Sequence, residues 1–199
     1  MQRIIDNPWA SLGAGLAVAI LLVLVWLAAA GSDAVGFVSF LVRWVHVLAA
    51  MVWVGLVVFV NFIQLIAMRG ADERARDFMH ASVVPQVALW FRHASTLVVA
   101  SGVLLAVLAG YLLPGLVYGT GVFMAPERAT LLWLGVLGGL VMWMLVHMYI
   151  WPSLRLALGL RPGDEAAKAA ARERVRLFAR LNLLIAVPVT LAMVAAAHL

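Results

Sequence analysis

Residues 43–64 read RWVHVLAAMVWVGLVVFVNFIQ. Arg43, His46, Ala50, Trp53, Val57, Asn61 and Gln64 follow one another at steps of 3, 4, 3, 4, 4 and 3. Such steps put them on one face of a helix. Every strongly polar side chain of the stretch lies on that face, and the rest is apolar. A helix of this kind belongs in lipid, with its polar stripe turned toward other helices.

The surrounding chain has the same character. Of 199 residues, 66% are hydrophobic and 12% charged, with a mean hydropathy of +1.07. A soluble domain is about half apolar and about a quarter charged. A spanning helix needs about 20 mostly apolar residues. Five stretches qualify: 9–30, 38–68, 87–113, 129–157 and 178–198. The expectation is an all-α integral membrane bundle of five transmembrane helices, forming one domain over residues 1–199. The apolar run at 12–30 is longer than the ~7–15 residues of a signal-peptide core, and so reads as a retained helix. No internal repeat is visible.

Cysteine is absent. Disulfides, thiolate metal sites, iron–sulfur clusters and a c-type haem attachment are thereby excluded. The net charge of +5 is not a nucleic-acid signal, because the basic residues cluster beside helix ends. Arg3 precedes the first stretch. Arg69, Arg74 and Arg76 lie between the second and third, and Arg155, Arg161, Lys168, Arg172, Arg174, Arg176 and Arg180 at or between the fourth and fifth. The other connections carry only Asp33, or Glu127 with Arg128. The positive-inside rule then expects a bacterial inner membrane protein, N-terminus cytoplasmic and C-terminus periplasmic. Residues 161–180, RPGDEAAKAAARERVRLFAR, turn at Pro162-Gly163 and continue as a cytoplasmic surface helix that can run on into the fifth span. Residues 115–126 are expected as an outer loop with Gly119 and Gly121 as turn residues. His80 is expected in a solvated cytoplasmic loop.

Ionisable groups inside spans are costly and are leads to function. The third stretch holds Arg92, His93, Ser95, Thr96 and Ser101. The fourth places Gly135, Gly139, Trp143 and His147 at steps of four, so a helix or a flat cofactor can approach its histidine face. The fifth holds Asn182, Pro188 and His198. Chain direction gives an outer pair, His46 and His198, and an inner pair, His93 and His147. Imidazole is the natural axial ligand of b-type haem. Arg43, one turn from His46, and Arg92, beside His93, suit the propionates. The plainer reading is that these groups bond across helices or sit near headgroups. Zinc or copper catalysis is disfavoured, because no HxH or HxxxH occurs and no span carries a central carboxylate. Trp9, Tyr149 and Trp151 read as interface anchors, and the methionines as packing.

Four segments resemble one family. The pattern Arg43-Trp44-x-His46…Trp53-x-Gly55 is similar to the first conserved helix of the membrane domain of bacterial membrane-bound urate oxidase (urate hydroxylase). HMYIWPSLRLALG (147–159) and RLNLLIAVPVTLAMVAAAHL (180–199) resemble its C-terminal half, with Asn182, Pro188, Met193 and His198 in the corresponding places. LWFRHASTLVVASG (89–102) looks like its Phe-Arg/Lys-Trp helix, with His93 where an aromatic is usual. The cytochrome c domain of that family has no counterpart in this cysteine-free chain. The second stretch also resembles membrane protoporphyrinogen oxidase and copper-resistance D proteins.

The resemblance implies a haem b-binding membrane oxidoreductase or electron-transfer protein. The candidate iron ligands are His46, His93, His147 and His198, and Arg43 and Arg92 would be the propionate or substrate partners. Electrons would pass to cytochrome c or quinone, and urate or another small heterocycle is the implied substrate. Two other functions remain open: a non-catalytic structural or assembly subunit among other membrane subunits, and a small-solute transporter.

Overall fold

The computed structural model describes residues 6–30, 34–109 and 126–198. Of these, 93% are helical, and no strand occurs among them. Five helices are long and apolar enough to cross a membrane. The protein is an all-α membrane protein whose apolar surfaces suit a lipid bilayer.

Helix α1, Pro8–Ala30, starts where Asn7 Oδ1 accepts the Trp9 N–H at 3.0 Å. Proline at the first helical position has no N–H to leave unpaired. Large side chains such as Leu12, Val18, Leu21 and Val25 are exposed around the helix, as expected where lipid is the solvent. Residues 1–40 and 41–199 form two compact units. Within the first, the Trp26 and Phe40 rings lie 5.7 Å apart.

The other four helices are each interrupted or extended. Helix α2 runs as Ala34–Phe59, a π-helical turn Val60–Gln64, and Leu65–Gly70. Helix α3 runs as Glu73–Phe78, a π turn Met79–Val83, and Val84–Leu108. Helix α4 runs as Pro126–Met144, a π turn Leu145–Ile150, and Trp151–Ala157. Helix α5 is Glu165–His198. Its 34 residues measure about 51 Å, well beyond the ~30 Å hydrocarbon core. The charged first turns therefore project out of the membrane. There Lys168 and Glu165 pair at 2.8 Å and Arg176 pairs with Glu173 at 2.6 Å, all on the surface.

Two of the π turns have a covalent cause. Pro85 and Pro152 follow the turns in α3 and α4 by two residues. A proline ring clashes with the carbonyl four residues back and offers no N–H to it. Widening the preceding turn relieves that clash, and Val84 and Trp151 donate instead to Met79 O and Val146 O, five residues back. In α2 the cause is a side chain. Asn61 Nδ2 donates to Val57 O at 2.8 Å, the carbonyl that an α-turn would give to the backbone N–H of Asn61.

The core of residues 41–199 draws on all four helices: Trp53 and Val57 from α2, Phe91 and Ala94 from α3, Met142 and Val146 from α4, and Ala186 from α5. Lipid tails are as apolar as leucine, so close packing replaces hydrophobic burial as the force joining helices. Small residues allow that packing. Helix α5 buries Ala171, Ala179, Ala186, Ala192 and Ala196, and Gly135 and Gly138 of α4 receive Met193 and Val189 of α5. Arg128 Nε donates to Ala196 O at 2.6 Å, capping the carbonyl end of α5.

The surface helix does run on into the fifth span, as one helix from Glu165 to His198. Some expectations change. Arg128 belongs to α4, not to a connection. His80 does not stand in a solvated loop but in the π turn of α3, half-buried, with Nδ1 out of contact with solvent. The outer loop at 115–126 lies, up to residue 125, outside the described residues.

Candidate functional site

The polar face of α2 turns inward along most of its length. Trp53, Val57, Asn61 and Gln64 are buried and His46 is half-buried. Arg43 is the departure: it is exposed, and no ion pair forms to it among the described residues.

His46 is fixed by α3. Its Nδ1 lies 3.0 Å from Val98 O and 3.1 Å from Ser101 Oγ. A carbonyl only accepts, so Nδ1 carries the proton and donates to Val98 O. The neutral tautomer then leaves the Nε2 lone pair free. Gly102 makes room for the ring: a Cβ there would stand 3.0 Å from His46 Cε1.

His147 sits in the π turn of α4. Its Nδ1 donates to Trp143 O at 3.0 Å, and its Nε2 lies 3.1 Å from Thr96 Oγ1 of α3. Its ring stacks on Trp143, with centroids 4.5 Å apart. The hydroxyl of Thr96 is shared, because it also lies 3.0 Å from Arg92 O. Four residues before Trp143, Gly139 has no atom within 4 Å of where a Cβ would stand. That face of α4 is open, whereas Gly135 and Gly138 are filled by α5.

Helix α3 thus contacts both half-buried histidines, His46 at its inner side and His147 at the exposed Thr96. The anchor of His147 at Thr96 and those of His46 at Val98 and Ser101 are two to five residues apart, or ~3–8 Å along the helix axis. His46 and His147 therefore sit at nearly one level on two helices flanking α3, closer in depth than an outer and an inner site would require. The remaining candidates are not gathered there. His93 is exposed. His198 is exposed and donates through Nδ1 to Val194 O of its own helix at 2.9 Å. Arg92 is exposed, and its guanidinium lies 5.0 Å from the Trp151 ring centroid, a cation–π contact. No group of three or more His, Cys, Asp or Glu able to hold a bare metal ion occurs among the described residues.

A haem would need imidazole ligands of defined tautomer and space for a flat ring. His46 meets the first condition, since an iron-ligating histidine ordinarily donates its other ring N–H to a carbonyl or carboxylate. Gly139 leaves one face of α4 open, whereas the space at Gly102 is taken by the His46 ring itself.

A second polar locus lies toward the basic end, and sequence reasoning did not find it. The π turns of α2 and α4 border one cavity: Val60, Asn61 and Gln64 from α2, and Val146 and Ile150 from α4, with Val84 and Ala88 of α3 beside them. Phe91, Trp151, Leu154, Val175 and Ala179 are among the residues that complete it. Its volume is about 60 Å³. Both prolines are visible in the sequence, but apolar length and polar spacing alone do not mark a widened turn before them.

Comparisons with protein families, with curated proteins and with solved structures found no match for this chain.

Proposed function

We propose that this chain is a membrane haem b protein of the electron-transfer or oxidoreductase type, with His46 as an axial ligand. The observation that carries the reading is the hydrogen bonding of His46: Nδ1 is committed to Val98 O and Ser101 Oγ, and Nε2 is left for iron. His147, held on the other side of α3, is a further ligand candidate, its Nε2 engaged only by a neutral hydroxyl that a metal can displace. Bound haem would supply one-electron chemistry. The chain's own groups would orient the imidazoles and wall off the ring with Trp53 and Trp143. Charge placement supports an inner-membrane protein with the Arg-rich ends of α2–α5 in the cytoplasm. Cytochrome c or quinone is the proposed redox partner, and urate or a related heterocycle the proposed substrate, both resting on the resemblance of residues 43–62 and 147–199 to membrane urate oxidases. The test is absorption spectroscopy of protein expressed with ample haem. A Soret band and a pyridine haemochrome are expected, both lost in His46→Ala. Neither signal in the wild type, in folded protein, would overturn the proposal.

A second reading has its own observation. Both nitrogens of His147 are engaged, one of them across to α3, as suits a histidine that only ties helices together. The chain would then be a non-catalytic subunit of a larger membrane complex. Purification with stoichiometric membrane partners and no haem would favour it.

A further inference from the structure

We propose that the cavity bordered by the π turns of α2 and α4 is a binding site for water, held by Asn61 Oδ1 and Gln64 Oε1 at the basic end of the bundle. The site does not depend on the haem reading. Asn61 is 1% exposed and Gln64 6%. Both side-chain oxygens are buried without a hydrogen-bond partner among the described protein atoms. The identity of the Asn61 oxygen is settled by its neighbours. Its Nδ2 donates to Val57 O and, at 3.1 Å, to Ala179 O of α5. A flipped amide would point oxygen at two carbonyls, so Oδ1 must face away from both.

Size and chemistry select the occupant. A water needs ~10–15 Å³ of such space and two to four polar partners. The cavity offers about 60 Å³, enough for a small cluster. A benzene-sized ring occupies a cavity of ~150 Å³, so an aromatic substrate does not fit. Hard cations take about six or more oxygen ligands, usually with carboxylates among them. This wall has two neutral oxygens, and most of the rest is Val84, Phe91, Val146, Leu154 and similar apolar groups. Water donates to both carboxamide oxygens and relieves the cost of leaving two buried acceptors unpaired.

The cavity's position gives it a source. Its walls sit beside charged residues of α2, α4 and α5, with Gln64 five residues before Arg69, Leu154 next to Arg155, and Val175 between Arg174 and Arg176. Four residues before Val84 stands His80, whose buried Nδ1 is likewise without a protein partner. That end of the bundle is a hydrated vestibule, closed toward the middle by the packed core of Trp53, Val57 and Met142.

Radiolytic hydroxyl footprinting of the full chain in lipid nanodiscs tests this directly. Radicals made from bound water oxidise the side chains beside it, including ones that bulk water cannot reach. Phe91 is buried and lines the cavity, whereas Phe78 is exposed and reports on overall integrity. Phe91 should be oxidised in the wild type. Labelling should fall several-fold in Gln64→Met and in Ala88→Leu, the second filling the cavity with both carboxamides intact, while Phe78 stays unchanged. An unlabelled Phe91 in the wild type, or labelling that persists in both variants, would overturn the proposal.

Discussion

Adjacent glycines in α4 offer a controlled measurement of how α4 and α5 are held together. A Cβ at Gly138 would overlap Val189 Cγ2, with Val189 Cβ 3.8 Å away. A Cβ at Gly139 would meet nothing within 4 Å. Both substitutions to alanine remove the same helix penalty of glycine, ~0.5–1 kcal/mol. Only Gly138→Ala adds steric strain. Val189 is β-branched and holds one rotamer in a helix, so its methyl cannot swing aside, and overpacking of this kind costs about 1–3 kcal/mol. Gly139→Ala should therefore be stabilising by ~0.5–1 kcal/mol, and Gly138→Ala neutral to destabilising. The propensity term cancels between them. The two variants should thus differ by about 1–3 kcal/mol, or roughly 5- to 150-fold in the unfolding equilibrium. The assay is reversible unfolding in mixed micelles by SDS titration, followed by far-UV circular dichroism. Equal midpoints for the two variants, or a more stable Gly138→Ala, would refute the close approach of α4 and α5 at Val189.

Three further outcomes are expected. Gly102→Val would drive a side chain into the His46 ring, and should weaken haem retention more than Gly55→Val, whose site is open; the readout is haemochrome content per protein. Thr96→Val removes the hydroxyl at His147 Nε2. If that contact is a helix tie, stability should drop by ~0.5–1.5 kcal/mol, whereas a ligand role for His147 would leave the haem spectrum intact or sharpen it; unfolding and absorption measurements separate the two. Arg128→Gln removes a charged donor from Ala196 O, a bond worth ~1.5–3 kcal/mol, so amide exchange in the last turn of α5 should accelerate by about tenfold or more.

The membrane class and the five helices were legible because they rest on length and polarity, which the sequence carries directly. The inward face of α2 was legible for the same reason: a 3–4 spacing of polar groups has one low-cost orientation in lipid. What stayed hidden depended on partners. Nothing in residues 43–64 tells that His46 meets Val98 rather than a neighbour on α5, because helix packing fixes that contact. Arg43, Arg92 and His93 were grouped with the inward histidines by sequence distance alone. A helix turns 100° per residue, so Arg92 and His93 emerge on the exposed side while Phe91, Ala94 and Ser95 are buried. Neighbours in sequence are not neighbours on a face.

The π turns bear on how the two polar loci can coexist. A continuous α-helical ladder would pair every backbone group and give no reason for polar side chains to gather in the middle of the bundle. Each widened turn breaks that regularity where a polar residue stands: Asn61 and Gln64 in α2, His80 in α3, His147 in α4. Two of the breaks are imposed by Pro85 and Pro152, and they persist whatever occupies the interior. The third rests on the Asn61 side chain alone, which also reaches Ala179 O of α5. Asn61 is then the one residue that both shapes the α2 turn and joins α2 to α5 at the cavity. Asn61→Leu should relax α2 to a regular α-helix, rotating Gln64 out of the cavity wall. His46, anchored on Val98 and Ser101, would hold its geometry. The cavity and the His46 site are accordingly separable by mutation, although both grow from one polar stripe.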